Sequence, residues 1–470
     1  MVPYLTMTIS IARKIAFDVL LRVTVHGAYS DEALRAALAK PVNSRVNRED
    51  AGLATDLTFG VLRWQRLLDF QIDRYLTKAG KALDPEVRIA LRLGAYQLFF
   101  LQRVPDHAAV NESVELVKLA RKRSAAPLVN AVLRKAAQES AASSPLGETV
   151  VALLREGLSL ADRLGIQHSH PTWLVERWLR AFGEDRTRTL LAADNRVPSL
   201  SGYIAAPLHR EDTLASLQKA GCIVRPGHLL RDALLLEGGN PSDGEIVRRG
   251  RLAIQDEASQ AVARLVAVEP GNTVLDLCSA PGGKTLRLAL DAGPAGHVIA
   301  VDLHAHRVRA MAERFKMAEI QNVETQILDA SLPLPFLQKF DRILVDVPCS
   351  GTGTLARHPE IRWRLRREDL DDLHARQAQL LRNALPHLAP GGRLVYSTCS
   401  LEPEENESVV GEALASFANA FCVANAGGAI EKFLCESVNV KSVVGADDFF
   451  RTFPGEQQTD GFYGAIISHA

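Results

Sequence analysis

Thr273-Val274-Leu275-Asp276-Leu277-Cys278-Ser279-Ala280-Pro281-Gly282-Gly283-Lys284-Thr285 is the stretch that decides the fold. An apolar run reads as a buried strand, small residues follow it, and a helical pattern opens beyond them. Open α/β sheets hold nucleotide-like ligands at such a strand-loop-helix unit. Small residues let the backbone approach the ligand closely. A phosphate-binding Walker loop needs glycine where Cys278 stands, and the dinucleotide pattern G-x-G-x-x-G is absent, so ATP and NAD are both disfavoured.

Outward from this stretch, the runs HVIAVD (297–302), VETQILD (323–329), RILVDV (342–347) and GRLVYSTC (392–399) alternate with helical or loop segments. Apolar strands alternating with helices predict an α/β fold, a doubly wound and mostly parallel sheet, from about residue 251 to the end of the sequence. The second run ends at Asp302, about 20 residues beyond the glycines, where an acidic group accepts hydrogen bonds from ribose hydroxyls. The third ends at Asp329. Either aspartate alone reads equally well as a helix cap or a turn residue. Together with the small-residue loop they suit an adenosine-containing ligand with free ribose hydroxyls.

The run CSAPGGKT (278–285) resembles the cofactor-binding motif of the NOL/NOP/Sun family of RNA 5-methylcytosine methyltransferases. That resemblance implies a Rossmann-like class I methyltransferase domain. It also implies S-adenosyl-L-methionine (AdoMet) held by Cys278, Ser279, Ala280, Pro281, Gly282, Gly283 and Lys284, with Asp302, Asp329 and Asp346. The stretch Gly250–Ser259 and the closing segments Arg451-Thr452-Phe453-Pro454 and Asp460-Gly461-Phe462-Tyr463 are similar to the same family. Near the N-terminus, VLRW (61–64) and RVPDHAAVNE (103–112) resemble a NusB-like RNA-binding domain fused to one branch of it. Known members of that branch modify a cytosine in bacterial 16S ribosomal RNA, so small-subunit ribosomal RNA is the implied partner.

Two cysteines follow strand ends, in Asp346-Val347-Pro348-Cys349 and in Thr398-Cys399. A lone cysteine is more often a small buried hydrophobe than a nucleophile. Two on one sheet rim, beside a methyl donor, point instead to covalent chemistry. Carbon 5 of cytosine is too weak a nucleophile to attack a sulfonium methyl until a thiolate adds at carbon 6. An acid near ring nitrogen 3 is also required, and Asp346 is the candidate. The residues themselves leave open which cysteine attacks; the resemblance implies Cys399 as nucleophile and Cys349 as the residue that assists release. Cys278 reads as packing within the loop. A covalent attack on carbon 6 needs a flipped or single-stranded base.

Upstream, Ile11, Ile15, Val19 and Val23 recur every four residues between Arg13, Lys14, Asp18 and Arg22, and similar stripes reach about residue 140. An all-α, NusB-like domain over 8–140 is expected. A linker rich in Ala, Ser and Pro follows over 141–165, then a small α+β, RNA-recognition-like module over 166–250, with the methyltransferase domain over 251–470. Charge is balanced overall but uneven: 1–140 carry 21 Lys/Arg against 14 Asp/Glu, whereas 401–470 carry 3 against 11, so the N-terminal part is the candidate for meeting phosphates. Arg121, Lys122, Arg123 and the run Arg357, Arg362, Arg364, Arg366 and Arg367 are candidate phosphate contacts.

The charges among the N-terminal apolar residues interrupt every run before membrane-span length. The six cysteines form no CxxC pair and no metal-ligand spacing, so neither zinc nor a disulfide framework is signalled. A cytoplasmic, metal-free monomer is expected. The rival readings are the same chemistry on transfer RNA or DNA, and a non-catalytic RNA-binding assembly or antitermination factor.

Overall fold

Ile15, Val19 and Val23 lie buried along one side of the helix Ile11–His26, as their spacing by four requires. They pack with Leu57 and Val61 of Arg48–Arg63 and with Ile89 and Leu93 of Pro85–Phe100 in one apolar core. Asn47 caps the Arg48–Arg63 helix by accepting from the Asp50 amide at 2.7 Å, and Pro85 starts the next at the position where a missing N–H costs nothing. Ser30–Leu38, Gln65–Asp73, Asp106–Leu119 and Ala126–Ser140 complete a helical bundle.

The computed structural model describes residues 9–40, 46–76, 83–140, 157–205, 209–239, 241 and 244–470. They form two compact units, the first running to Arg196 and taking in Leu355–Arg364, the second comprising Val197–Thr354 and Leu365–Ala470. Of the expected linker, 141–156 lie outside the described residues. Its last part is not a linker: residues 160–165 belong to the helix Leu160–Gln167, capped by Ser159, with Ala161 and Leu164 buried.

The arginine run 357–367 is corrected in part. Arg362 is fully buried in the first unit, where its guanidinium donates to the carbonyls of Arg63, Ser169, Asp194 and Leu355 and to Asn195 Oδ1. Arg364 donates to the carbonyls of Val23 and Ala28, and Trp363 Nε1 to that of Leu62 at 2.7 Å. A planar five-donor group satisfies several carbonyls at once, so these side chains bind Leu355–Arg364 to the helices. Arg366 and Arg367 are exposed. Lys122 pairs with Asp84 at 2.7 Å.

The second unit holds two sheets. In the smaller, β1 (Leu200–Ile204), β2 (Ile223–Pro226), β3 (Ala233–Glu237) and β4 (Leu252–Ile254) are ordered β2-β3-β1-β4, all antiparallel. The larger is built from β5 (Thr273–Leu277), β6 (His297–Asp302), β7 (Val323–Ile327), β8 (Phe340–Asp346), β9 (Leu388–Thr398), β10 (Phe421–Ala424), β11 (Phe450–Thr452) and β12 (Phe462–His469). Its order is β10-β12-β9-β8-β5-β6-β7, with β11 paired to β12. The five runs read from the sequence are the parallel strands β5 to β9; the apolar residues of β5, β6 and β8 and Leu394 and Val395 of β9 are buried, as a sheet covered on both faces requires, while Ile327 of the edge strand β7 is exposed. The chain winds outward from β5 through β6 to β7, then returns to β8 on the other side. The switch point between β5 and β8 opens a crevice at their carboxyl ends. No helix among the described residues is long and apolar enough to cross a membrane.

Candidate active site

At the end of β5 the backbone turns sharply: Cys278 has φ 60 and Gly282 φ 91, both left-handed. Glycine suits 282, because φ 91 strains any other side chain and a Cβ there would stand 2.8 Å from Met311 Cγ and 2.9 Å from Phe315 Cζ. The helix Gly283–Ala292 begins at once, and the first amides of a helix have no intrahelical acceptors. Ser279 ties the loop to β6 by donating from its amide and hydroxyl to the Val301 carbonyl at 2.9 and 3.0 Å. Thr285 Oγ1 donates to Asp276 Oδ2 at 2.6 Å, while Asp276 Oδ1 is buried with no partner. Burial pushes the Asp276 carboxyl up to about 7.

Asp302, at the tip of β6, accepts from the Ala280 amide at 3.3 Å and the His304 amide at 2.9 Å, bracing the loop while keeping lone pairs in reserve. Asp329, just beyond β7, uses Oδ1 for the Ser331 amide and hydroxyl at 3.0 and 2.6 Å, which holds its carboxyl below the usual range. A backbone cradle with unfilled amides and two carboxylates at neighbouring strand tips fits an adenosine-bearing cofactor. Burial, with Asp302 and Asp346 nearby, holds the Cys278 thiol well above the ordinary thiol range, so it stays protonated as a packing residue.

The second half of the site forms where β8 and β9 end. These strands are parallel neighbours with Asp346 opposite Ser397, so Cys349 and Cys399 emerge side by side. Their sulfurs lie 3.2 Å apart. Main-chain bonds lock the approach: the Val347 amide donates to Ser397 O at 3.1 Å and the Gly353 amide to Cys399 O at 2.9 Å. A Cβ at Gly353 would lie 2.1 Å from the Gly461 carbonyl oxygen, so this contact needs glycine. Hydrogen bonding to Cys399, then burial, raise the Cys349 thiol well above its ordinary value.

Lys284 links the two halves, its Nζ donating to Asp346 Oδ2 at 2.7 Å while Ser397 Oγ donates to Asp346 Oδ1 at 2.6 Å. Burial pulls the Lys284 ammonium down, but the Asp346 carboxylate, with Cys399 and Asp276 adding to it, more than reverses this, and its pKa stands above the lysine norm. In sequence Lys284 reads only as a residue of the loop over 278–284; its pairing with Asp346 spans 62 positions and leaves no signal in either stretch. An ammonium-carboxylate pair beside two touching thiols can supply a nucleophile and a proton to one ring.

Sequence comparison adds three family matches: "NusB family" over residues 10–138, "Methyltr_RsmF/B-like, ferredoxin-like domain" over 170–243 and "16S rRNA methyltransferase RsmB/F" over 263–468. Among curated relatives, the "Probable ribosomal RNA small subunit methyltransferase B" of Bacillus subtilis (strain 168) is 32% identical, covering 85% of this chain and 87% of that protein. The "Ribosomal RNA small subunit methyltransferase B" of Escherichia coli O157:H7 (strain EC4115 / EHEC) is 32% identical, covering 91% and 92%. Among solved structures, a methyltransferase homolog protein from Pyrococcus horikoshii is similar with a TM-score of 0.55 at 26% identity, covering 67% of this chain and 100% of that one.

Proposed function

The chain belongs to the 16S rRNA methyltransferase RsmB/F family, and from that premise we propose that it methylates carbon 5 of a cytosine in small-subunit ribosomal RNA, with Cys399 as covalent nucleophile. AdoMet is the cofactor in this reading; when bound, it supplies the methyl group. Residues 278–284 with Asp302, Asp329 and Asp346 hold it. The helical domain over 8–140 selects the RNA, the module over 166–250 assists, and the protein acts as a cytoplasmic monomer.

The observation that carries the reading is the thiol pair at 3.2 Å with Cys349 held protonated. Cys399 Sγ bonds to carbon 6 of an extruded cytosine, and the ring's electron density moves toward carbon 5. Asp346, steadied by Ser397 and Lys284, meets the cytosine edge, and the Lys284-Asp346 pair keeps a proton within reach of ring nitrogen 3. After transfer, the carbon-5 proton must leave so that the Sγ–C6 bond breaks. The largest cause raising Cys349 is its hydrogen bond with Cys399. Once Cys399 is bonded to carbon 6 that hydrogen bond is gone, so Cys349 releases its own proton to solvent more readily, and the thiolate left behind takes the carbon-5 proton.

The test is transfer from labelled AdoMet to unmethylated small-subunit ribosomal RNA, with products run on a denaturing gel. Wild type should transfer label, Cys399→Ala should not, and Cys349→Ala should accumulate a covalent RNA adduct. An inactive, adduct-free Cys349→Ala beside an adduct-forming Cys399→Ala exchanges the two roles. Wild type that labels transfer RNA and leaves ribosomal RNA untouched overturns the substrate.

A further inference from the structure

We propose that Glu405 is a positioning residue for methyl transfer: its buried carboxylate clamps the loop after Cys349 to the loop after Cys399 and so sets the separation of the two sulfurs. The inference rests on the two-cysteine reading above. Glu405 ends the short turn Pro403–Glu405 and is fully buried. Its Oε1 accepts from the Ser350 amide at 2.8 Å and from Gln377 Nε2 at 2.9 Å. Its Oε2 accepts from the hydroxyls of Ser350 and Ser400, the latter at 2.5 Å. Ser350 directly follows Cys349 and Ser400 directly follows Cys399, so one carboxylate takes donors from the neighbour of each reacting residue.

The surrounding bonds make the clamp stiff. Gln377 Nε2 also donates to the Pro348 carbonyl at 2.9 Å, so Cys349 is fixed from both sides. Tyr396, buried on β9, donates from its hydroxyl to the Glu405 carbonyl at 2.6 Å and anchors the clamp to the strand that delivers Cys399. Four donors saturate a carboxylate's lone pairs, which an amide cannot match with a single oxygen. A helix-capping role does not account for Glu405: the N-cap of the helix Glu407–Ala415 is Asn406, and Ser350, Gln377 and Ser400, which donate to the Glu405 carboxylate, lie outside that helix. Burying a carboxylate is costly, and apolar packing would fill the space at least as stably, so the group is best explained by the geometry it imposes. Its charge also adds to the hydrogen bond with Cys399 and the burial that keep Cys349 protonated.

The experiment uses the full chain and two readouts. The first is kcat and KM for RNA methylation. The second needs no RNA: the rate at which the two-electron oxidant diamide joins Cys349 and Cys399, followed by mass spectrometry of the linked peptides. Both thiols lose a proton and an electron, a disulfide forms, and diamide is reduced to the hydrazine. In Glu405→Ala, a misplacement of about 1 Å should lower kcat about 100-fold with KM within about threefold, and slow disulfide closure about tenfold. Glu405→Gln, which keeps one acceptor, should fall between Ala and wild type on both. Ser400→Ala removes one arm without burying a new group, and about a threefold slower closure is expected there, which keeps the test open if Glu405→Ala does not fold. A folded Glu405→Ala with wild-type closure and kcat overturns the clamp, as does a Gln variant no better than Ala on both readouts. If wild type fails to methylate ribosomal RNA, the preceding section's reading fails, while the closure rates still decide the clamp.

Discussion

The cofactor loop and the cysteine pair occupy the same rim of one sheet, yet they are built from different materials. The loop over 278–282 is shaped by its own backbone: two left-handed residues, a glycine pressed on Met311 and Phe315, and a helix start. The cysteine pair is shaped by side chains distant in sequence, Glu405, Ser350, Ser400 and Gln377, and by the Lys284-Asp346 bond across 62 positions. Backbone-built sites depend on residue size and φ, whereas side-chain-built sites depend on charge and donor count.

That contrast can be broken or sharpened by experiment, beginning with the sulfur proposed as nucleophile. Cys399→Ala should lower single-turnover methylation by about 10⁴-fold or more while leaving AdoMet affinity, measured by calorimetry, within about twofold. Loss of AdoMet binding in that variant would join the two regions into one unit.

Asp276 stands on β5 beneath the loop and gives the next largest effect. Its carboxyl is pushed up to about 7 by burial, against about 3.9 in an unfolded chain. The folded state therefore binds the proton more tightly, and the stability this contributes is present below about pH 4 and lost as pH rises through about 7. Denaturation of wild type and Asp276→Asn at pH 4.5 and pH 8 should show the variant gaining on wild type with rising pH, by about 3 kcal/mol. A gap that does not change with pH would mean the carboxyl is ionised throughout.

Lys284→Met should lower kcat about 100-fold, as expected for a lost proton source, with Lys284→Arg restoring charge but not the proton. Wild-type kcat in both variants would make the side chain a packing element, and rescue by Lys284→Arg alone would show that its charge rather than its proton is used. The smallest change is expected in Gly282→Ala, which should destabilise the second unit by about 2 kcal/mol through strain and overpacking. Its kcat at saturating AdoMet should stay within about threefold; a collapse of kcat would show that loop shape also aligns the sulfurs.

Legibility in the sequence follows the same division. Strands β5 to β9 were readable because a parallel sheet covered on both faces demands apolar runs, and each loop residue of the cradle answers a local backbone need. That Cys349 and Cys399 share a rim was also readable, since each follows a strand in the same sheet. Their contact at 3.2 Å was not, because it depends on β8 and β9 being neighbours in register. The arginines misled for a related reason. A guanidinium looks the same in sequence whether it meets phosphate or carbonyls, and only the packing of Leu355–Arg364 into the helical unit made Arg362 a core residue.

The sequence by itself determined the α/β class, the helical first unit, the small-residue loop after β5 and the two cysteines on one rim, because periodicity and backbone preference act within a few residues. Tertiary structure alone decided that Lys284 holds Asp346, that Glu405 joins the two cysteine loops, and that the thiols touch. Hydrogen bonds and charges between strangers in sequence form only after the chain has brought them within about 3 Å of each other.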